Sequence, residues 1–286
     1  MSTPTNTPAV VLGDAFTELS ARERACAVLD EGTYRELLGP FDRMESPHLA
    51  AQGIVPQSDD GAVVARGTIG GERAVVVALE GKFQGGGVGE VNGAKLAGSL
   101  ELAAQDWETG TPIRPVIILE TGGIRLQEAN LGMLAIADIH AAIVRLRQYT
   151  PVVGIIAGMV GCFGGMGIAA GLCTDLVMTR EGRLGLNGPE VIEQEAGVEE
   201  LDAQDRALIW SLIGGEQRTA VRLADRLVAD DTRAIADAVR AVFAAGLRSE
   251  PRSTRGDEVL TLLDSIDPPG RPTPQDLRDK MKGQFK

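Results

Sequence analysis

Two stretches of this chain set paired glycines between an apolar strand and a run of small residues. Thr121-Gly122-Gly123 follows Arg114–Leu119, whose branched apolar residues read as a buried strand. Gly161-Cys162-Phe163-Gly164-Gly165-Met166 follows a second apolar strand, Pro151–Ile156. Glycine allows backbone angles closed to other residues and lets a ligand approach bare N–H groups. Beyond the first turn, Leu131, Leu134, Ala135, Ile139, Ala142, Ile143 and Leu146 fall at helical spacing. A helix starting there aims its positive end at the glycines, where an anion would be stabilised. One Gly-Gly on its own reads as an ordinary strand-to-helix turn. Two of them on consecutive units point to main-chain amides converging on one oxygen, an oxyanion hole. Gly122, Gly123, Gly164 and Gly165 are the candidate catalytic positions, with Ile124, Phe163 and Met166 as an apolar wall.

A third glycine run, Gly85-Gly86-Gly87, precedes a helical pattern with Leu96, Leu100, Ala103, Ala104 and Trp107. It matches neither phosphate-binding glycine motif. It reads as a loop lining the pocket, with Gly86 and Gly87 as substrate contacts. Glu128 is expected to complement a helix N-terminus. Cys26, Cys162 and Cys173 form no CxxC, and with only His48 and His140 in the chain a zinc site is not expected. Cys162 sits beside a glycine turn among apolar neighbours, so packing is expected of it before nucleophilic chemistry. Both histidines read as structural or surface residues.

The elements that position these turns come from a chain of 286 residues, 44% hydrophobic and 24% charged, enough for a sizeable core. Glycine, at 36 residues, is well above the usual share of about 7%. The net charge of −12 argues against nucleic acid and anionic membranes as partners. Free cysteines without a pairing pattern fit a reducing, cytoplasmic setting, and Met1–Leu19 lacks the features of a signal peptide. Pro151–Thr174 carries no charge, yet its seven glycines speak for a buried strand, loop and helix over a membrane span. Residues 1–20 read as a loose segment, 21–246 as one domain, and 247–286 as a Pro- and charge-rich tail. Within the domain a helix is expected over Ala21–Leu38, split near Gly32, then a long loop over 40–61. Ala62–Ile69 and Arg73–Leu79 around Gly70-Gly71 form a hairpin signal. Strands are expected at Asp175–Thr179 and Arg183–Leu186, a helix after Gly188-Pro189, and three helices over Asp202–Ala245. Apolar residues on two of those helices, among them Leu208, Ile209, Ile235, Val239 and Phe243, suggest a face left for another subunit.

The chain resembles the β subunits of malonate decarboxylases and, more distantly, the carboxyltransferase β subunits of acyl-CoA carboxylases. The likeness runs through Arg22–Pro40, Arg43–Thr68, Gly85–Lys95, Glu120–Asn130, Gly161–Gly171 and Gly185–Gly197, covering about 20–245. Arg43-Met44-Glu45-Ser46-Pro47-His48-Leu49 through Pro56–Gly61 is its most distinctive part. The resemblance implies an α/β, crotonase-like fold of repeated β-β-α turns with C-terminal helices. It aligns Thr121-Gly122-Gly123 with the Ser-Gly-Gly of a thioester oxyanion hole, and Gly164-Gly165 with the second contributor. It implies decarboxylation of malonyl on an acyl carrier protein to the acetyl thioester, with no cofactor held tightly by this chain and the acyl group on a phosphopantetheine-type arm. Arg125 is then either a solvated residue or a contact to that arm. Expected partners are a homologous γ subunit and the carrier protein. The four-cysteine zinc ribbon usual in bacterial acetyl-CoA carboxylase β subunits is missing. A biotin-dependent carboxyltransferase subunit, needing the same hole, is the alternative reading; a non-catalytic scaffold is a second.

Overall fold

A computed structural model describes residues 14–250, 252–267, 270 and 272–284; most of the N-terminal segment expected to be loose lies outside them. Seven strands form one sheet in sequence order. The strands are β1 (Arg35–Leu37), β2 (Ala62–Ile69), β3 (Glu72–Leu79), β4 (Arg114–Ile118), β5 (Val153–Ile156), β6 (Asp175–Thr179) and β7 (Arg226–Val228). β1–β2 and β2–β3 pair antiparallel, the latter as the expected hairpin with Gly70 and Gly71 at positive φ. From β3 onward every pairing is parallel, so each crossover carries helical or irregular chain.

The branched residues of the central strands face two cores in alternation. Ile117 and Leu119 join one core with Leu96 and Leu100 of α2 (Glu90–Glu108), Ile139 and Ile143 of α3 (Asn130–Leu146), and Met166 of α4 (Gly164–Leu172). Val116 and Ile118 join the other with Ala25 and Val28 of α1 (Ala21–Val28) and Ile235, Val239 and Phe243 of α8 (Thr232–Ala245). Between them run α5 (Pro189–Ala196), α6 (Arg206–Ile213) and α7 (Gly215–Ala220), and beyond them α9 (Gly256–Asp264) and α10 (Pro274–Gln284).

The expected helix over 21–38 is shorter than its apolar pattern. It closes at Val28, and Gly32 takes φ +73°. Asp30 ends it by accepting hydrogen bonds from the Gly70 and Gly71 amides at 3.0 and 2.8 Å, which sends the chain back as β1. β7 falls between two of the three expected C-terminal helices and was not anticipated. Arg183–Leu186 is not a full strand: Arg183 and Leu184 make isolated bridges only.

Those bridges carry the repeat. Thr121, Cys162 and Leu184 pair side by side in parallel, one from each successive turn. The second strand of each β-β-α unit is thus reduced to a single paired residue. This is the crotonase-like superhelix, with each turn contributing one long and one very short strand.

The outward apolar face expected on α8 is absent, because Ile235, Val239 and Val242 are at most 1% exposed and pack on the sheet. On α6, Ile209 is buried, Leu208 is exposed, and Leu212 and Ile213 are half-buried. Replacing Ile235 with Ala should cost the isolated chain about 2–5 kcal/mol of stability, since a fully buried large aliphatic is lost. Urea denaturation checks this; an unchanged midpoint would mean that α8 serves a partner and not this core.

Candidate active site

The two glycine turns lie against each other because the short bridges hold them there. The Thr121 amide donates to the Gly161 carbonyl at 2.8 Å, and the Phe163 amide to the Thr121 carbonyl at 3.0 Å. A Cβ on Gly123 would stand 3.3 Å from the Gly164 Cα, so the turns touch backbone to backbone. Gly123 has φ +111° and Gly164 φ +59°, conformations that favour glycine.

Helix placement differs between the turns. After Gly123 the chain makes an extended step and a 3-10 turn (Leu126–Glu128) before α3 begins at Asn130. The expected α3 dipole is therefore not at the glycines. Gly164 and Gly165 are instead the first two residues of α4, so the helix end facing the site belongs to the second turn.

The four glycine amides are not equivalent. Gly122 donates to the Gly85 carbonyl at 2.9 Å and Gly164 to the Leu186 carbonyl at 2.7 Å. Gly123 donates to the Thr121 hydroxyl at 3.0 Å. Among the described residues the Gly165 amide meets no acceptor, and neither does that of Ile124. Gly165 is only part-buried, and its carbonyl accepts a 2.8 Å bond from His140 Nε2, which must carry the proton on that nitrogen.

The other candidate positions separate into surface and interior. Gly122 is exposed and Ile124 half-buried. Met166 belongs to the core at 0% exposure. Phe163 is buried beneath the Arg183 guanidinium, 5.7 Å from its ring centroid. Gly86 and Gly87 are buried too, and Gly85 is the exposed member of that run. A Cβ on Gly86 would overlap the Glu120 carbonyl. Gly86 thus packs closely against the start of the first turn.

Arg125 is not solvated: it is 2% exposed. Its Nη1 donates to Asp60 Oδ1 and Glu128 Oε1, each at 2.8 Å, and Phe83 packs on its face. Glu128 does complement a helix N-terminus, but that of α2, accepting from the Glu90 amide at 2.7 Å and from the Ser46 hydroxyl at 2.7 Å. Asp60 accepts from the Asn92 amide in the same helix turn. Burial raises the Asp60 carboxyl above its ordinary value despite Arg125. Burial also pushes Glu128 upward, but its three donors outweigh that and hold it below. Deeper, Glu120 pairs with Arg24, both nearly inaccessible, and glycines 81 and 158 leave the room its carboxylate occupies. Nothing in the sequence marks Asp60, Glu120 and Arg24 as a buried charge set; Asp59-Asp60-Gly61 carries the signature of a turn.

Burial raises the thiols of Cys162 and Cys173, the latter to about 12. Neither supplies a thiolate near neutral pH. Cys162→Ala and Cys173→Ser should therefore keep most activity, and iodoacetamide at pH 8 should leave both unlabelled in the folded chain. Mass spectrometry of labelled peptides checks this, and an acyl group trapped on either sulfur would recast the chemistry as covalent.

The chain is similar to proteins of one family. A subunit of a Pseudomonas malonate decarboxylase hetero-tetramer, solved in complex with malonate, is 58% identical with a TM-score of 0.91, over 93% of this chain and 97% of that one. A chain of a Pseudomonas malonate decarboxylase hetero-dimer is 54% identical with a TM-score of 0.74, over 87% and 96%. The malonyl-S-ACP:biotin-protein carboxyltransferase of Malonomonas rubra is 43% identical over 239 residues, 80% of this chain and 75% of that protein. Residues 17–284 match the carboxyl transferase domain, and the chain belongs to that family, among the malonate decarboxylase subunits.

Proposed function

We propose that this chain is the catalytic subunit that decarboxylates malonyl carried as a thioester on an acyl carrier protein, yielding acetyl thioester. The observation that carries the reading is the Gly165 amide, left without an acceptor at the start of α4 beside Gly164, which packs against the first glycine turn. In the reaction the bond between the carboxylate carbon and Cα breaks and CO2 leaves. The electron pair moves into an enolate whose charge gathers on the thioester oxygen, and a proton then returns to carbon. No base need remove a proton first. The demand on the protein is donors placed where the oxygen charge develops, each worth roughly 10²–10³ in rate.

The amides of Gly165 and Ile124 are the donors we assign to that oxygen. Those of Gly122 and Gly164 are spent on backbone carbonyls, and that of Gly123 is occupied by the Thr121 hydroxyl. The acyl group would arrive on the phosphopantetheine-type arm of the carrier, with no further cofactor held tightly by this chain. A biotin-dependent carboxyltransferase would need the same hole, and one relative is named for that activity. Greater identity over more of the chain to malonate decarboxylase subunits favours direct decarboxylation.

Supplied with malonyl-carrier protein and no biotin, the assembled enzyme should release CO2 and form acetyl-carrier protein. Release that appears only with a biotin acceptor would move the assignment to carboxyl transfer. Gly165→Ala places a Cβ 2.8 Å from Ile136 Cγ2, and Gly123→Ala forces φ +111° on an L-residue. Each should lower kcat by at least tenfold while circular dichroism stays native. Full turnover in both variants would place the hole elsewhere.

We also propose that the chain works beside a homologous second subunit, as in the Pseudomonas hetero-dimer. The apolar surface available for that partner lies away from α8. It includes Met133 and Leu134 on α3, Ile168 on α4 and Val191 on α5, each between 47% and 61% exposed. Light scattering of the chain alone should show self-association that co-expression with the partner abolishes; a fully active monomer would refute the assembly.

A further inference from the structure

The outer face of α4, one helical turn beyond Gly164, borders a cavity of about 350 Å³ walled by Gly167, Ile168, Leu184, Leu186 and Leu223. Its walls are apolar apart from two guanidinium groups. Arg252 is committed: it pairs with Asp225 and donates to the Ala170 and Cys173 carbonyls at 2.8 and 3.0 Å. Arg218 is not. Its Nε donates to the Leu184 carbonyl at 2.8 Å, and among the described residues no carboxylate forms an ion pair with it. Glu216, two residues away, pairs with Arg180 instead. Burial without a countercharge disfavours the charged form of Arg218. A partly desolvated guanidinium left without an anion costs free energy, so its placement makes sense where an anion enters from outside.

The cavity borders the second glycine turn through Gly185, Leu186 and the next turn of α4. Leu186, one of its walls, accepts the Gly164 amide, and one helical turn is about 5.4 Å of axial rise. A molecule whose thioester oxygen meets Gly165 therefore has further atoms within reach of this space.

Resting on the thioester reading above, we propose that Arg218 and this cavity form an anion subsite for the substrate, taking a singly or doubly charged oxyanion group on an otherwise apolar chain. Two groups of the same molecule have that chemistry: the acyl carboxylate and the phosphate of the carrier arm. The subsite acts on binding. A hold on the arm phosphate, which the reaction leaves unchanged, is made equally with substrate and transition state, so it lowers KM and leaves kcat alone; a hold on the carboxylate weakens as CO2 forms, so its loss raises KM without lowering kcat.

The test uses the assembled complex and isothermal titration with malonate, phosphopantetheine and uncharged pantetheine. Arg218→Gln should weaken one anion at least tenfold, malonate if the carboxylate is held and phosphopantetheine if the phosphate is. Pantetheine should bind both proteins alike, and Arg218→Lys should recover part of the loss. In turnover with malonyl-carrier protein, the glutamine variant should raise KM, with kcat within twofold of wild type if the phosphate is held and not lowered if the carboxylate is. The proposal is overturned if neither anion binds the wild type, if both bind the glutamine variant as tightly, or if pantetheine weakens equally. Because binding is read without chemistry, a complex that holds an anion through Arg218 yet releases no CO2 would sink the decarboxylase reading alone.

Discussion

A ladder of single residues, Thr121 to Cys162 to Leu184, is the constraint from which the rest of this structure follows. Its hydrogen bonds run from the Thr121 amide to Gly161 and from the Phe163 amide to Thr121. They continue from the Cys162 amide to Arg183 and from the Gly185 amide to Cys162, at 2.8–3.1 Å. A ladder one residue wide per turn satisfies only a few backbone groups, and the neighbouring amides must find partners elsewhere or stay open. Gly122 and Gly164 find them in Gly85 and Leu186; Gly165 does not. The open amide thus arises because α4 starts directly after a one-residue strand, and the N–H groups of its first turn have no intrahelical acceptor. A longer second strand would have consumed the same donors in ordinary pairing.

Buried charge flanks Thr121 of this ladder along the chain, at Glu120 and Arg125. Arg125 bridges Asp60 and Glu128, and both carboxylates also meet main-chain amides at the start of α2. Arg24 meets Glu120 directly below the first glycine turn. Such groups stabilise little in net terms, because desolvation offsets much of the attraction, while removing one partner costs about 3–5 kcal/mol. Their value here is geometric. Each arginine has hydrogen-bonding directions fixed by its planar fork, so the segment 120–128 has one arrangement that satisfies them. Gly81, Gly89 and Gly158 are the space those carboxylates require. This accounts for a glycine content that the turns alone do not explain.

Patterns that depend on near neighbours were legible in the sequence. The hairpin, the parallel strands, α3, and Pro189 opening α5 all follow from periodicity and turn chemistry. Both glycine turns were found because paired glycines after an apolar strand are a local signal. What was not legible depends on residues far apart in sequence. Ala21–Leu38 had helical spacing, yet Asp30 reaches the Gly70–Gly71 turn and ends the helix. Ile235 and Val239 make an apolar stripe that could face a partner or a sheet, and only the fold shows the sheet. Arg125 reads in the sequence as either a solvated residue or a contact to the carrier arm, because its two carboxylates come from a loop 65 positions earlier and from the next turn. Which glycine amide stays open could not be read at all, since the competing carbonyls of Gly85 and Leu186 lie outside both motifs.

Preorganisation requires that α4 not move when charge develops at its first turn, and the structure holds that helix from both ends. His140 on α3 bonds the Gly165 carbonyl, the peptide immediately after the open amide. At the far end, Arg147 donates to the Leu172 carbonyl at 3.2 Å while Arg252 donates to those of Ala170 and Cys173. Cations at a helix C-terminus satisfy its last carbonyls and complement the dipole whose positive end points at the site. Arg252 belongs to the segment after 247 and is itself pinned by Asp225, which also receives Arg248 at 3.0 Å. The C-terminal segment thereby reaches the candidate hole through a single nine-residue helix. Electrostatic stabilisation by a fixed amide depends on the donor being in place before the charge forms. For the donor proposed at Gly165, that condition rests on His140, Arg147 and Arg252, none of them in the glycine turns.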